Sequence, residues 1–327
     1  MKTDKSKILH SAVIGPLVAF LIIFIIAALI TPRFLLPDNL ANQMLQVSVV
    51  SIIAIGSTMV IITGGIDISS GSAVAFLTMV MAELIKFEGF SLETAIIVVL
   101  ALGTILGLYN GILIAYLRIP AFIATLASQG IFRGFSFMLN NGAPLQKMSE
   151  SSNFIFYSTI FGIPIVVYYI IFFYGLAYIF MKYTRTGRKI YAIGGNASAA
   201  RLSGINVKKT NVITYTLAGF LTACAAVLMA CRLNSGSQNY GIGMEMSAIA
   251  ASVIGGASLA GGKGNMICTF IGAMTIVIVQ NALNLHAVPT AVQQIAIGLI
   301  IMLAVILDMW RTELGNVISK LFRKKEA

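Results

Sequence analysis

The sequence predicts an all-α integral membrane protein of about ten transmembrane helices with both termini on the cytoplasmic side. Three observations predict it. The chain is 58% hydrophobic and 10% charged, with a mean hydropathy of +0.93. Soluble domains are about 45–50% apolar and about 25% charged. Its apolar runs are long and lack the alternation that barrel strands need, so the spans are helices. Its net charge of +11 would point to nucleic acid in a soluble protein; here the positive-inside rule explains it, and no nucleic-acid partner is expected.

The elements follow in order. Residues 1–10 form a short basic cytoplasmic segment, and an apolar run from 11 to 30 makes the first helix. That run exceeds the roughly 7–15 residues of a signal h-region and no small-x-small cleavage site follows, so it stays uncleaved. The second helix, 46–63, ends at Gly64-Gly65-Ile66-Asp67-Ile68-Ser69-Ser70-Gly71-Ser72, and the third runs on to about 85. The fourth covers 94–117, Arg118-Ile119-Pro120 turns the chain, and the fifth covers 121–139. The polar segment 140–153 separates it from the sixth helix, 163–181. A central basic loop, 182–211, leads to the seventh helix, 212–230. After a second polar loop, 232–245, come an eighth helix at 246–259, a ninth at 266–283 and a tenth at 291–309. The polytopic domain is thus 11–309, and 310–327 is a basic cytoplasmic tail.

The charge distribution sets the orientation. Lys and Arg number three at the N-terminus, one at Arg118, seven in the central loop, one at Lys263 and five in the tail, seventeen in all. The opposite loops hold only Arg33, Lys86, Lys147 and Arg232. The helix–glycine turn–helix pattern of the second and third helices returns weakly in the eighth and ninth, which suggests a parallel duplication.

The central loop is the longest polar interruption facing the cytoplasm. Gly194-Gly195-Asn196 reads as a turn, because Gly and Asn tolerate positive φ. Asn196 or Ser198 would cap a short helix through Ala199, Ala200 and Arg201, with Gly204 ending it. Gly256 to Gly264 has the look of a phosphate-binding loop, but Ala257 and Gly264 stand where the template needs Gly and Ser or Thr. Gly261, Gly262 and Gly264 therefore serve tight turning and close packing, beside Lys263. Asp67, with Gly64, Gly65 and Gly71 around it, is one carboxylate at a membrane edge. It either caps the third helix, whose dipole favours an anion, or takes part in gating.

Arg133 is the only basic residue well inside a span. It either snorkels outward or makes a polar contact near the pathway. Asn110, Gln129, Gln280, Asn281 and Asn284 either hydrogen-bond between helices or line a route for a hydroxyl-rich solute. No carboxylate pair is expected deep in the membrane, which argues against ion coupling. Cys224, Cys231 and Cys268 lack ligand spacing, and two histidines cannot build a metal cluster, so no metal site is expected. No catalytic constellation occurs, and the chain is read as a transport subunit rather than an enzyme.

These residues carry a resemblance. Gly64 to Ser69, Ile119-Pro120-Ala121-Phe122-Ile123-Ala124-Thr125-Leu126, Thr186-Gly187-Arg188 through Ile205, and Ala248 to Gly256 through Gly264 occur in an order that resembles the ribose-type, simple-sugar family of bacterial ABC-transporter permeases. The resemblance covers about residues 30–308. Ser70 stands where many relatives have Val. The resemblance implies a multi-pass protein of the bacterial inner membrane that moves a monosaccharide, ribose foremost. Implied partners are a second permease copy, a cytoplasmic ABC ATPase that binds MgATP, and an extracytoplasmic sugar-binding protein. This chain would hold no cofactor itself. Gly187, Arg188, Tyr191, Gly194, Gly195, Asn196, Ala200, Arg201 and Gly204 would then form the ATPase-coupling segment. The loops 140–153 and 232–245 would face the binding protein. The alternative is a stand-alone secondary transporter or facilitator for a small polar solute. A purely structural membrane protein is a third possibility.

Overall fold

The computed structural model describes residues 13–323, with side chains to residue 306. The basic segment expected at 1–10 lies outside the described residues, as do the side chains of the tail expected at 310–327. Apolar runs of this length form helices because the bilayer offers no partner for free backbone groups. The helices are α1 (Ile14–Ile30), α2 (Pro37–Ile62), α3 (Ser70–Lys86), α4 (Leu92–Ala115), α5 (Ala121–Met138), α6 (Ser152–Tyr157), α7 (Ile165–Tyr183), α8 (Arg185–Gly195), α9 (Ala197–Leu202), α10 (Val207–Leu233), α11 (Met244–Ile254), α12 (Met266–Leu285) and α13 (Thr290–Arg323). Six of them, α2, α4, α5, α7, α10 and α12, are long and apolar enough to cross a membrane.

The hub is α2. Its most apolar stretch is 89% buried, against 28% for α4, α5 and α7, so α2 is sheathed by other helices and those three face outward. Lipid tails are as apolar as leucine, so burial alone does not drive helices together in a bilayer. Close packing and interhelical hydrogen bonds do. Both are present. On α4, Gly103, Gly107 and Gly111 form a stripe against α10, where a Cβ on Gly107 would lie 2.9 Å from the Gly219 Cα. Thr58 of α2 bonds Ser252 of α11 and Thr269 of α12, each at 2.8 Å. Asn281 of α12 joins Asn39 and Gln43 of α2 at 2.8–3.1 Å.

Three boundaries differ from expectation for local reasons. Helix α2 starts at Pro37 rather than near 46, because Pro suits a first helical turn and Asn39 and Gln43 find their partner in Asn281. Helix α11 ends at Ile254 rather than 259, since Gly256 takes φ +84° and turns the chain. The Gly194-Gly195 pair is no turn: both lie inside α8 with ordinary φ, and the break comes at Asn196.

The small strands tie the loops. β1 (Leu145–Gln146) pairs antiparallel with β4 (Ser235–Gly236), and β2 (Thr159–Ile160) pairs with β3 (Ile163–Pro164). Phe161 and Gly162 supply the positive φ angles of that hairpin turn. Asn234, with φ +45°, stops α10. The chain then turns inward instead of staying outside: Ser235, Ser237, Gln238 and Glu245 are all buried. This segment lies along α3, with Gly236 against Thr78 and Gly241 against Gly71. The 232–245 loop is therefore largely a buried re-entrant segment rather than an open loop.

Candidate functional site

Three glycine clusters that are far apart in sequence meet at one point. Helix α8 begins on Thr184, whose hydroxyl accepts from the Gly187 amide at 3.0 Å. Gly187 sits where α7 turns into α8, and a Cβ there would be 2.5 Å from the Phe180 carbonyl. The far end of α8 delivers Gly194 onto the end of α2. A Cβ on Gly194 would overlap the Ile62 carbonyl and lie 2.5 Å from the Gly262 amide. That amide donates to the Ile62 carbonyl at 2.9 Å. Gly261 and Gly262, both at positive φ, stack on the Gly194 and Gly195 backbone, and Gly261 also faces Gly64. Tyr191 completes the junction by donating to the Gly264 carbonyl at 2.9 Å. Burial pushes its phenol above the ordinary value, so it remains a donor. At Gly187, Gly194, Gly261 and Gly262 the missing Cβ is what lets backbone meet backbone.

Beyond the junction, Asn196 caps α9 by accepting from the Ala199 amide at 2.9 Å. Ala200 is buried, and Gly204, at φ +80°, ends the unit. Arg188 bonds the Tyr183 carbonyl at 3.2 Å, while Arg201 is exposed. Leu202 is 91% exposed.

A second polar centre lies deeper. From Gly64 the chain runs without regular structure through residues 65–69 before α3 begins. Asp67 accepts from the Ser69 amide at 2.9 Å and from its hydroxyl at 2.6 Å. Asn110 donates to Ser69 at 2.9 Å, and Ser128 donates to Asn110 at 2.5 Å, so α3, α4 and α5 are joined through this loop. At the second position of α3, Gly71 leaves room for the buried Glu245 carboxylate at the start of α11. Gln129 approaches Glu245 at 3.5 Å, and the other carboxylate oxygen has no partner. Arg133 and Asp67 are both close enough to act on Glu245 electrostatically. Arg133 does not snorkel: it donates to the Gln238 carbonyl and, at 2.9 Å, to the Tyr240 carbonyl, clamping the re-entrant segment.

Helices α3 and α11 thus start side by side, and α11 is short. Helix α11 has 11 residues, about 16 Å at 1.5 Å per residue, against a hydrocarbon core of about 30 Å. Its first turn reaches only the level of Gln280 on α12, which donates to Ser247 at 3.4 Å. No carboxylate pair was expected deep in the membrane; the structure shows that Asp67 and Glu245 are both buried within the protein. Glu245 escaped notice because it reads as the end of an outer loop, and only the burial of residues 235–241 brings it inside.

Comparison with known proteins decides the family. Residues 39–305 match the family described as branched-chain amino acid transport system / permease component. The chain belongs to this family. Among its relatives are the ribose import permease proteins RbsC of Haemophilus influenzae, 39% identical over 295 residues (89% of this chain, 91% of the relative), and of Escherichia coli, 40% over 296 residues (89% and 92%). That of Bacillus subtilis is 36% identical over 313 residues, 94% of this chain and 97% of the relative. No solved structure matches.

This permease is a multi-pass membrane protein in which polar groups inside spans are mostly occupied. Asn110 and Asn281 are buried and bonded between helices. Asn284 accepts from Gln293 at 2.8 Å. Gln129 and Gln280 are half-buried beside α11. Among the described residues no cluster of His, Cys, Asp or Glu suits a metal ion, and all three cysteines are buried.

Proposed function

We propose that the chain is the transmembrane subunit of an ABC importer of the bacterial inner membrane that carries a monosaccharide, ribose foremost. Two copies would assemble with a cytoplasmic ATPase that binds MgATP and an extracytoplasmic sugar-binding protein. The similarity to permeases named for ribose import, over about nine-tenths of each chain, supports the substrate class. The ten spans, the cytoplasmic termini and the parallel duplication belong to the same proposal. In its support, the turn at Gly64 and the turn at Gly261 converge on one helix.

The observation that carries the mechanism is the glycine junction. A push on α9 moves α8, and α8 touches both turns through backbone contacts that cannot compress. One turn leads through 65–69 into α3. The other joins α11 to α12. Displacement of α8 would shift α3 and α11 relative to each other and so change access to the polar centre between them.

Proteoliposomes that hold the permease, its co-purifying ATPase and the binding protein should take up labelled ribose only with ATP. ATP-driven uptake of another sugar would keep the mechanism and change the substrate. The alternative, a stand-alone transporter, draws on the buried Glu245 near Arg133 and Asp67, since such carboxylates serve ion coupling elsewhere. Equilibration of ribose by the permease alone would establish that alternative and overturn the ABC assignment.

A further inference from the structure

We propose that the cavity between the end of α4 and the start of α10 is a binding site for the headgroup of an acidic phospholipid of the cytoplasmic leaflet. The cavity has a volume of about 860 Å³ and is lined by Ile114, Arg118, Arg201, Asn206, Lys208 and Asn211, among others. Three of these carry positive charge, and no acidic residue lines it. Between Glu93 and Glu245 the sequence has a single acidic residue, Glu150. Glu150 lies at the far end of the fold, beside the Ser149–Asn234 contact near β1 and β4. The charge of the cavity is therefore not met from within the neighbouring chain.

The depth of the cavity selects the ligand. Its wall includes Ile114 and Ala115, the last residues of a helix apolar enough to span the bilayer. Beside it Tyr116 and Leu117 are 56% and 63% exposed, an amphipathic aromatic and an aliphatic side chain at the end of a span. That is the composition of a headgroup boundary. Lys208 stands 5.3 Å from the Tyr116 ring centre, over the ring, which holds its ammonium at this level. A phosphate is the anion concentrated at that depth, and basic clefts between helices on the cytoplasmic side suit it.

A second feature narrows the choice. The side-chain oxygen of Asn211 on the lining is buried and has no hydrogen-bond partner. A buried acceptor without a donor is costly. Asn211 lines the cavity as a residue, so once its carboxamide turns toward the opening a headgroup that brings a hydroxyl as well as a phosphate satisfies both demands. Phosphatidylglycerol is the simplest acidic phospholipid of that kind.

The test uses the full-length permease, purified in detergent, delipidated and titrated with defined lipids under native mass spectrometry. Phosphatidylglycerol should bind one per chain, at least about tenfold tighter than phosphatidylcholine. The double variant Arg118→Gln/Lys208→Gln should lose about tenfold in affinity, and Arg118→Lys/Lys208→Arg should keep it. Should the double variant fail to fold, Lys208→Gln alone, on an exposed side chain, should lose several-fold. Lys182→Gln removes a cation elsewhere on the basic face and should change nothing. Equal loss with Lys182→Gln would reduce the effect to general attraction and overturn the site. Displacement of the lipid by millimolar inorganic phosphate would make it a free-anion site instead. Unchanged lipid binding in the double variant, with loss of the co-purifying ATPase, would reassign the cavity to a protein partner.

Discussion

A methyl group on Gly194 would overlap the Ile62 carbonyl, whereas one on Gly195 would meet nothing within 4 Å. The two neighbours should therefore respond in opposite ways to alanine. Gly194→Ala overpacks a backbone contact and should cost about 1–3 kcal/mol, read as a lower melting temperature of the detergent-purified protein. Gly195→Ala should be neutral or gain about 0.5–1 kcal/mol, since Gly inside a helix is unfavourable. If Gly195→Ala nevertheless abolishes ATP-driven uptake, the loss belongs to the surface a partner touches. If Gly194→Ala leaves the melting temperature unchanged, the junction is looser than its geometry implies. Tyr191→Phe removes one hydrogen bond, to Gly264, and should cost about 0.5–1.5 kcal/mol by the same measurement.

The elements that depart from a simple bundle are the irregular stretch 65–69, the re-entrant segment before α11, and the short α11 itself. Arg133 holds the re-entrant segment by two carbonyls. Arg133→Ala should free it, costing about 1.5–3 kcal/mol, with faster amide exchange confined to residues 235–243. Uniform exchange across all helices would show instead that Arg133 supports the whole fold. The long helices were legible in the sequence because each is an apolar run with polar ends. The capped α9 was legible too, from Asn196 and Gly204. The re-entrant segment was not, because its Ser, Gly, Asn and Gln look like any solvent loop. Nothing local in Arg133 says that its carbonyl partners lie 105 and 107 residues away. The glycines were seen as turns, and at Gly194 this was mistaken: the sequence shows that a Cβ is absent but not which backbone fills the space.

For the molecule as a whole, the charge distribution and the fold assign opposite faces to Lys208 and Lys147. Single cysteines at these positions should react with a membrane-impermeant maleimide from opposite sides of intact cells and inverted vesicles. Cys224, Cys231 and Cys268 are buried and should give little background. Labelling of both sites from one side would invalidate the proposed topology. The half-length α11 also bears on how the protein is made. At about 16 Å it is too short to halt translocation alone, and its 11 residues begin with a carboxylate in the first turn. It can enter the bilayer only with α12, as a hairpin closed by the turn at Gly261 and Gly262. A nascent chain stopped between the two should leave residues 244–254 outside the membrane, so the permease core is completed only after the ribosome has passed Leu285.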